Sequence, residues 1–159
     1  MKRIFPIIAL VVTLPSPAFA QEPRGDVAAV EQVVMQLFDA MRAGDTAAIG
    51  ALFHPSGRLM RVGRNRAGEY GVTVTPIERF IAIVGGANAY LDERIWDVEI
   101  RIDEDLATVW TKYAFFANEE FSHCGVDAFQ LARLSDGWKI IQISDTQRRD
   151  GCEIPPARD

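Results

Sequence analysis

At Gly85-Gly86 the spacing of apolar residues changes, and that change restricts the architectures open to this chain. Before it, Val27, Val30, Val33, Val34, Leu37, Phe38 and Met41 recur at steps of three and four, as on one face of a helix. After it, Trp96, Val98, Ile100 and Ile102 alternate with Asp97, Glu99 and Arg101, so one strand face is apolar and the other charged. Helices followed by a meander of long antiparallel strands specify an α+β domain with a curved sheet.

Local signals divide the two halves further. Asp26 is placed to cap the first helix, and Gly44 in "RAGD" suits the position just past its end. Asp45 can cap a short second helix, "TAAIGALF", stopped by Pro55. Residues 58–62 read as a short strand, followed by a Gly- and Arg-rich loop to Thr75. A third helix then opens with Thr75 as N-cap, Pro76 at the first helical position and Glu78 completing a capping box. In the second half, strands are predicted over 96–102, 107–116, 121–134 and 138–148, with Asp136-Gly137 as a two-residue hairpin turn.

The N-terminus decides the compartment. Lys2 and Arg3 precede an apolar run from Ile4 to Leu14, and small residues Ala18 and Ala20 stand before Gln21. This is the pattern of a secretory signal over 1–20, cleaved after Ala20, and the apolar run is too short for a stable membrane helix. The alternative is an uncleaved anchor. The mature chain is then expected to be secreted or periplasmic, with one domain over 21–152 and a flexible tail over 153–159. No later segment is long and apolar enough for a membrane helix. Without Lys2 and Arg3 the net charge is −7, which argues against nucleic acid and anionic membranes as partners. In an oxidising compartment Cys124 and Cys152 are expected to form a disulfide, the sharper alternative being a nucleophilic Cys124.

The stretches "FDAMRAGDTAAIGALFHPSGRL", "DLATVWTKYAFF", "HCGVDAFQLARLSDGWKI" and "TQRRDGC" resemble the NTF2-like superfamily, and within it the SnoaL-like and putative lumazine-binding-like groups. The resemblance covers roughly residues 27–152. It implies a cone: three N-terminal helices packed on a strongly curved mixed, mostly antiparallel sheet, with a pocket at the open end and frequent dimers. It does not imply one activity, because such folds include isomerases, dehydratases, cyclases and binding modules.

Strand alternation then assigns faces. With Asp136-Gly137 as the turn, Ala128 falls opposite Asp145, which places Cys124, Val126, Ala128, Gln130 and Ala132 on the concave side with Ile141, Ile143 and Asp145. Val109, Thr111 and Tyr113 join them, with Trp96, Val98 and Ile100. The expected ligand pocket comprises Trp96, Val98, Thr111, Tyr113, Phe115, Val126, Ile143 and His54, the last from "LFHP". A carboxylate on an apolar face is costly to bury, so Asp145 is either a proton-transfer group or half of an ion pair. By analogy with cyclases and isomerases of the superfamily, Asp145 could act as general base and Tyr113 as oxyanion donor. His123, Asp127, Phe129 and Leu131 would face outward with Trp110, Phe116 and Ile140, forming a homodimer surface.

Other chemistry has little support. The two histidines, His54 and His123, lack metal-ligand spacing, and no metal site is expected. No phosphate-binding glycine loop, nucleophile elbow or dinucleotide fingerprint occurs, so no cofactor is expected. Arg58, Arg61, Arg64 and Arg66 could bind an anion at the cone mouth or form a solvated loop. Three functions fit: a module binding a small apolar or aromatic ligand, a lyase or isomerase with the same pocket, or a non-catalytic dimeric interaction module.

Overall fold

The computed structural model describes residues 24–64 and 67–155; the expected signal segment, and tail positions 156–159, lie outside them. Helix α1 spans Arg24–Ala43 and buries Val30, Val34, Leu37, Phe38 and Met41 along one stripe. It ends where Gly44 takes φ +66°, a conformation that costs glycine little, and the Asp45 N–H returns to the Ala40 carbonyl at 2.9 Å. The Asp45 carboxylate accepts from the Ala48 N–H at 2.9 Å and so caps α2, Thr46–Leu52. Here the expected boundary shifts. Helix α2 stops before Pro55, and the chain runs directly into strand β1, Phe53–Arg64.

The expected Gly- and Arg-rich loop contains a strand, β2, Tyr70–Pro76, paired antiparallel with β1. Tyr70, Val72 and Val74 alternate with Gly71, Thr73 and Thr75, yet almost all of its residues are exposed, so the alternation marks a pairing edge and not a buried face. Backbone pairing to β1 holds this edge strand. Thr75 lies within it, opposite Leu59, and therefore does not cap helix α3, Ile77–Gly85; Pro76 occupies the cap position without a side-chain hydrogen bond.

Strands β3 (Leu91–Asp103), β4 (Leu106–Ala117), β5 (Glu120–Leu134) and β6 (Gly137–Thr146) complete a six-stranded sheet in the order β2-β1-β6-β5-β4-β3. Only β1 and β6 run parallel. Three helices on a mixed, mostly antiparallel curved sheet is the expected α+β cone. The helices meet the sheet through Val109, Phe129, Leu131, Ile140 and Ile143, with the Phe38 and Phe129 rings edge to face at 6.1 Å. Each such buried side chain contributes about 1.5–3 kcal/mol.

Three irregularities in pairing change the face assignments. The last hairpin turns through Ser135-Asp136, with Leu134 opposite Gly137, which moves the pairing by two residues and leaves the faces unchanged, but the register then shifts between Gln130 and Leu131. The β4–β5 ladder shifts between Phe115 and Phe116, next to a tight turn in which Asn118 and Glu119 both have positive φ. Asp127 consequently lies opposite both Thr111 and Asp145, and Phe129 opposite both Val109 and Ile143. A slip of one residue exchanges the faces of a whole strand. His123, Asp127, Phe129 and Leu131, expected outside, therefore face the helices, and so does Ile140. Cys124, Val126, Ala128, Gln130 and Ala132 face outward with Ile141. In β3 a bulge between Trp96 and Glu99, with Asp97 at φ +53°, sends Trp96 to the outer face beside Lys112.

Candidate functional site

One step along the concave face from the apolar core, the side chains become polar. From Phe129 to Asp127, Ile143 to Asp145 and Val109 to Thr111 the ladder moves by one inward position on three adjacent strands. Glu93 arrives from β3, where it sits opposite Phe115, which in turn sits opposite His123. Arg61 arrives from β1, opposite Asp145. The sheet thus gathers Glu93, Tyr113, His123, Asp127, Asp145 and Arg61 on one side, next to Ile95 and Phe115.

Glu93 and Asp127 share a side-chain hydrogen bond. Two carboxyl groups can bond in this way only if the pair keeps a proton, since two carboxylates offer acceptors alone. Burial is the main cause, and it raises both groups. Glu93 is pushed up to about 7, with the Asp145 charge adding to burial and the Asp127 bond working against it. Asp127 is held well above the usual carboxylate range by burial, by the Glu93 charge and by donating to Glu93. The pair thus holds one proton well above the usual carboxylate range and exchanges a second near neutral pH.

Asp145, by contrast, accepts from Arg61 Nε at 2.9 Å. The geometry favours the ion-pair alternative for this residue, with Arg61 as the partner. Tyr113 is buried, and its hydroxyl donates to the Thr146 carbonyl at 2.8 Å. It crosses β5 over Gly125, where a Cβ would lie 2.7 Å from the Tyr113 ring and 1.9 Å from the Thr146 oxygen. Burial, then the charges of Asp127, Glu93 and Asp145, push the phenol up, so it remains a donor. The His123 imidazole packs on Phe115 at 5.0 Å and edge-on to Tyr113 at 5.7 Å. Its Nδ1 is 3.0 Å from Ser122 Oγ, and burial followed by the Arg61 charge lowers its affinity for a proton.

The remaining expected pocket residues divide. Phe115, Ile143 and Val98 face inward, and all three pack with the core. Thr111 faces inward but is fully buried and donates to the Trp96 carbonyl at 2.9 Å, satisfying the backbone at the bulge. Trp96 and Val126 belong to the outer face. His54 sits in β1, its Nδ1 2.7 Å from Ser56 Oγ, along a shallow outer groove with Ala132, Ile141 and Gln142. These three residues are not part of the concave cluster, because the β3 bulge, the β5 register and the early end of α2 carry them elsewhere. Arg58 also leaves the group of expected anion ligands, donating to Gln142 at 3.0 Å.

Glu93 had no part in the sequence reading. Its signal was the alternation Leu91, Glu93, Ile95 running into Val98, masked by the extra residue of the bulge. His123 and Asp127 were visible as reactive types but were given the wrong face. Behind them, Cys124 is joined to Cys152, with Cα atoms 5.9 Å apart. Among the described residues no three His, Cys, Asp or Glu side chains are placed to share a metal ion.

Comparison with known proteins gives a family and a set of similar folds. The family described as Putative lumazine-binding matches residues 25–144. A solved structure of a putative dehydratase from the NTF2-like family of Streptomyces avermitilis is 19% identical, with a TM-score of 0.64, over 80% of this chain and 99% of that one. An NTF2-like protein with a cystatin-like fold from Novosphingobium aromaticivorans is 14% identical, with a TM-score of 0.65, over 81% and 85%. An NTF2-like protein from Cytophaga hutchinsonii is 19% identical, with a TM-score of 0.63, over 79% and 98%. No curated protein matches the chain.

Proposed function

The chain belongs to the putative lumazine-binding family of the NTF2-like superfamily, and from that premise we propose that it is an exported small-molecule-binding protein. The ligand is an apolar or aromatic molecule with at least one hydrogen-bonding group. Its body lies against Ile95 and Phe115, and its polar group meets the Glu93–Asp127 pair. The observation that carries this reading is the pair itself. A carboxyl and a carboxylate sharing one proton offer a donor and an acceptor side by side at the polar end of an apolar face.

Native mass spectrometry of the protein isolated from its own cell envelope tests the proposal, the expected result being a retained small organic mass. The ligand so found should bind roughly tenfold or more weakly to the Glu93→Gln/Asp127→Asn variant, the loss expected for a hydrogen bond to a charged group. Unchanged affinity in that variant, folded by circular dichroism, overturns the proposal.

A second reading, a lyase or isomerase, is favoured by the raised proton affinity of Glu93. A group near pH 7 is suited to removing and returning a proton. In this reading Glu93 takes the role of Asp145, since Asp145 is engaged by Arg61. Tyr113 would serve as oxyanion donor by releasing the Thr146 carbonyl. Turnover by the Glu93→Gln variant with an unaltered pH profile would exclude it.

Export and dimerisation belong to the same proposal. N-terminal sequencing of the envelope protein should begin at Gln21. The outer face, where half-exposed Trp110 borders a groove with Ala128, Gln130, Gln142 and Ser144, supports a homodimer joined sheet to sheet. Sedimentation at micromolar concentration should give a dimer; a monomer would count against it.

A further inference from the structure

Four arginines converge on a groove that the cone ligand does not use. The groove has a volume of about 410 Å³ and is bordered by Arg61, Arg64, Thr73, Gln147, Arg148 and Arg149. It lies where β1 and β2 run past the segment that follows β6. In a chain of net charge −5, this local concentration of positive charge runs against the overall sign. Arg61 gives its Nε to Asp145. Arg64 donates to the Gly68 carbonyl and the Tyr70 hydroxyl and stacks on the Tyr70 ring at 3.9 Å, which positions its charge without neutralising it. Among the described residues, no carboxylate forms an ion pair with Arg148 or Arg149.

The second half of this arrangement is held in place by the disulfide. The Arg148 N–H and carbonyl pair with the Cys124 carbonyl and N–H, each at 2.9 Å, as an isolated antiparallel bridge. Four residues later Cys152 is bonded to that same Cys124. The segment carrying Arg148 and Arg149 is therefore fastened to β5 twice at one residue, and its position opposite Arg61 and Arg64 follows. Planar guanidinium groups bind the oxygens of phosphate and carboxylate in pairs, and their mutual repulsion is relieved when an anion enters.

We propose that this groove is a binding site for a compact multivalent oxyanion, completed by the disulfide that fixes Arg148 and Arg149. The site is separate from the carboxyl pair, and the two readings fail independently. Isothermal titration of the full mature protein with inorganic pyrophosphate and with citrate tests it and separates phosphate from carboxylate chemistry. At least one should bind with one site per chain, weakening severalfold as salt is raised from 0.05 to about 0.5 M. Arg148→Gln/Arg149→Gln should weaken it by about tenfold or more. The outer-face control Arg101→Gln should not, and neither should Glu93→Gln/Asp127→Asn. The Cys124→Ser/Cys152→Ser variant, folded by circular dichroism, should also bind more weakly. Absence of binding by both anions, or an equal loss in Arg101→Gln, overturns the site. Full affinity in the double-serine variant overturns the role of the disulfide.

Discussion

The two ends of the concave face are built on the same strands, in the same alternation, and differ by one inward step. At the first level Val109, Phe129 and Ile143 lie side by side under Phe38 of α1. At the next, Thr111, Asp127 and Asp145 occupy the equivalent places. The apolar level is covered by helix and contributes stability through burial. The polar level is nearly as buried at Thr111 and Asp127, yet it must satisfy every donor and acceptor it removes from water. It does so by sharing a proton between Glu93 and Asp127, by pairing Asp145 with Arg61, and by giving the Thr111 hydroxyl to the Trp96 carbonyl. The fold is held by the first level, and chemistry is possible only at the second.

Substitutions at the two ends should therefore behave differently. The largest effect is expected for Phe129→Ala, which leaves a cavity beneath Phe38 and should cost about 3–5 kcal/mol in denaturant unfolding. It should do so equally at pH 5 and pH 7.5, because nothing at that level titrates.

Next comes pH. Glu93 keeps its proton in the folded protein up to about 7, whereas an unfolded glutamate loses it near 4.5. The folded state therefore binds more protons across that window, and stability should fall as pH rises from about 4.5 to 7, by about 3 kcal/mol from this residue. Asp127 acts in the same direction, and His123, whose proton affinity is lowered, in the opposite one below its ordinary value. Unfolding curves for wild type and Glu93→Gln should converge at acid pH and separate toward neutrality, the variant being the more stable. Parallel curves would remove the shared proton from the account.

Reduction of the Cys124–Cys152 bond should cost about 3–4 kcal/mol on the chain-entropy view for a sequence separation of 28. Hydrogen exchange should locate the loosening at 146–152 and the polar end of β5, leaving Phe129 and Leu131 protected. The smallest effect is expected for Tyr113→Phe, about 1 kcal/mol for the lost hydrogen bond to Thr146. Its informative readout is His123, whose NMR titration should shift because the two rings are in contact.

Much of the fold was legible because its signals are local. The helical stripe from Val30 to Met41, the Asp45 cap, the αL glycine at Gly44 and the Gly85 stop each depend on a few neighbouring residues. Strand β2 was less legible: Tyr70, Val72 and Val74 alternate, but the Gly- and Arg-rich stretch before them reads as a loop and the strand buries neither face. The site was half legible. Asp145 and Tyr113 stood out because the alternation is unbroken along β4 and along β6 beyond Gln142, whereas Glu93, His123 and Asp127 were hidden by irregular pairing.

What the sequence by itself determined is every element but β2, the α+β class and the pairing of the two cysteines, because periodicity, caps and compartment act over short distances or on few candidates. What only the tertiary structure decided is which way β5 faces. A period of two leaves each strand one binary choice, and a single extra residue in a ladder reverses it. The shifts at Phe115/Phe116 and Gln130/Leu131 settle that choice through the packing of Phe129 and Leu131 under α1. That same choice brings His123 and Asp127 inside to meet Glu93.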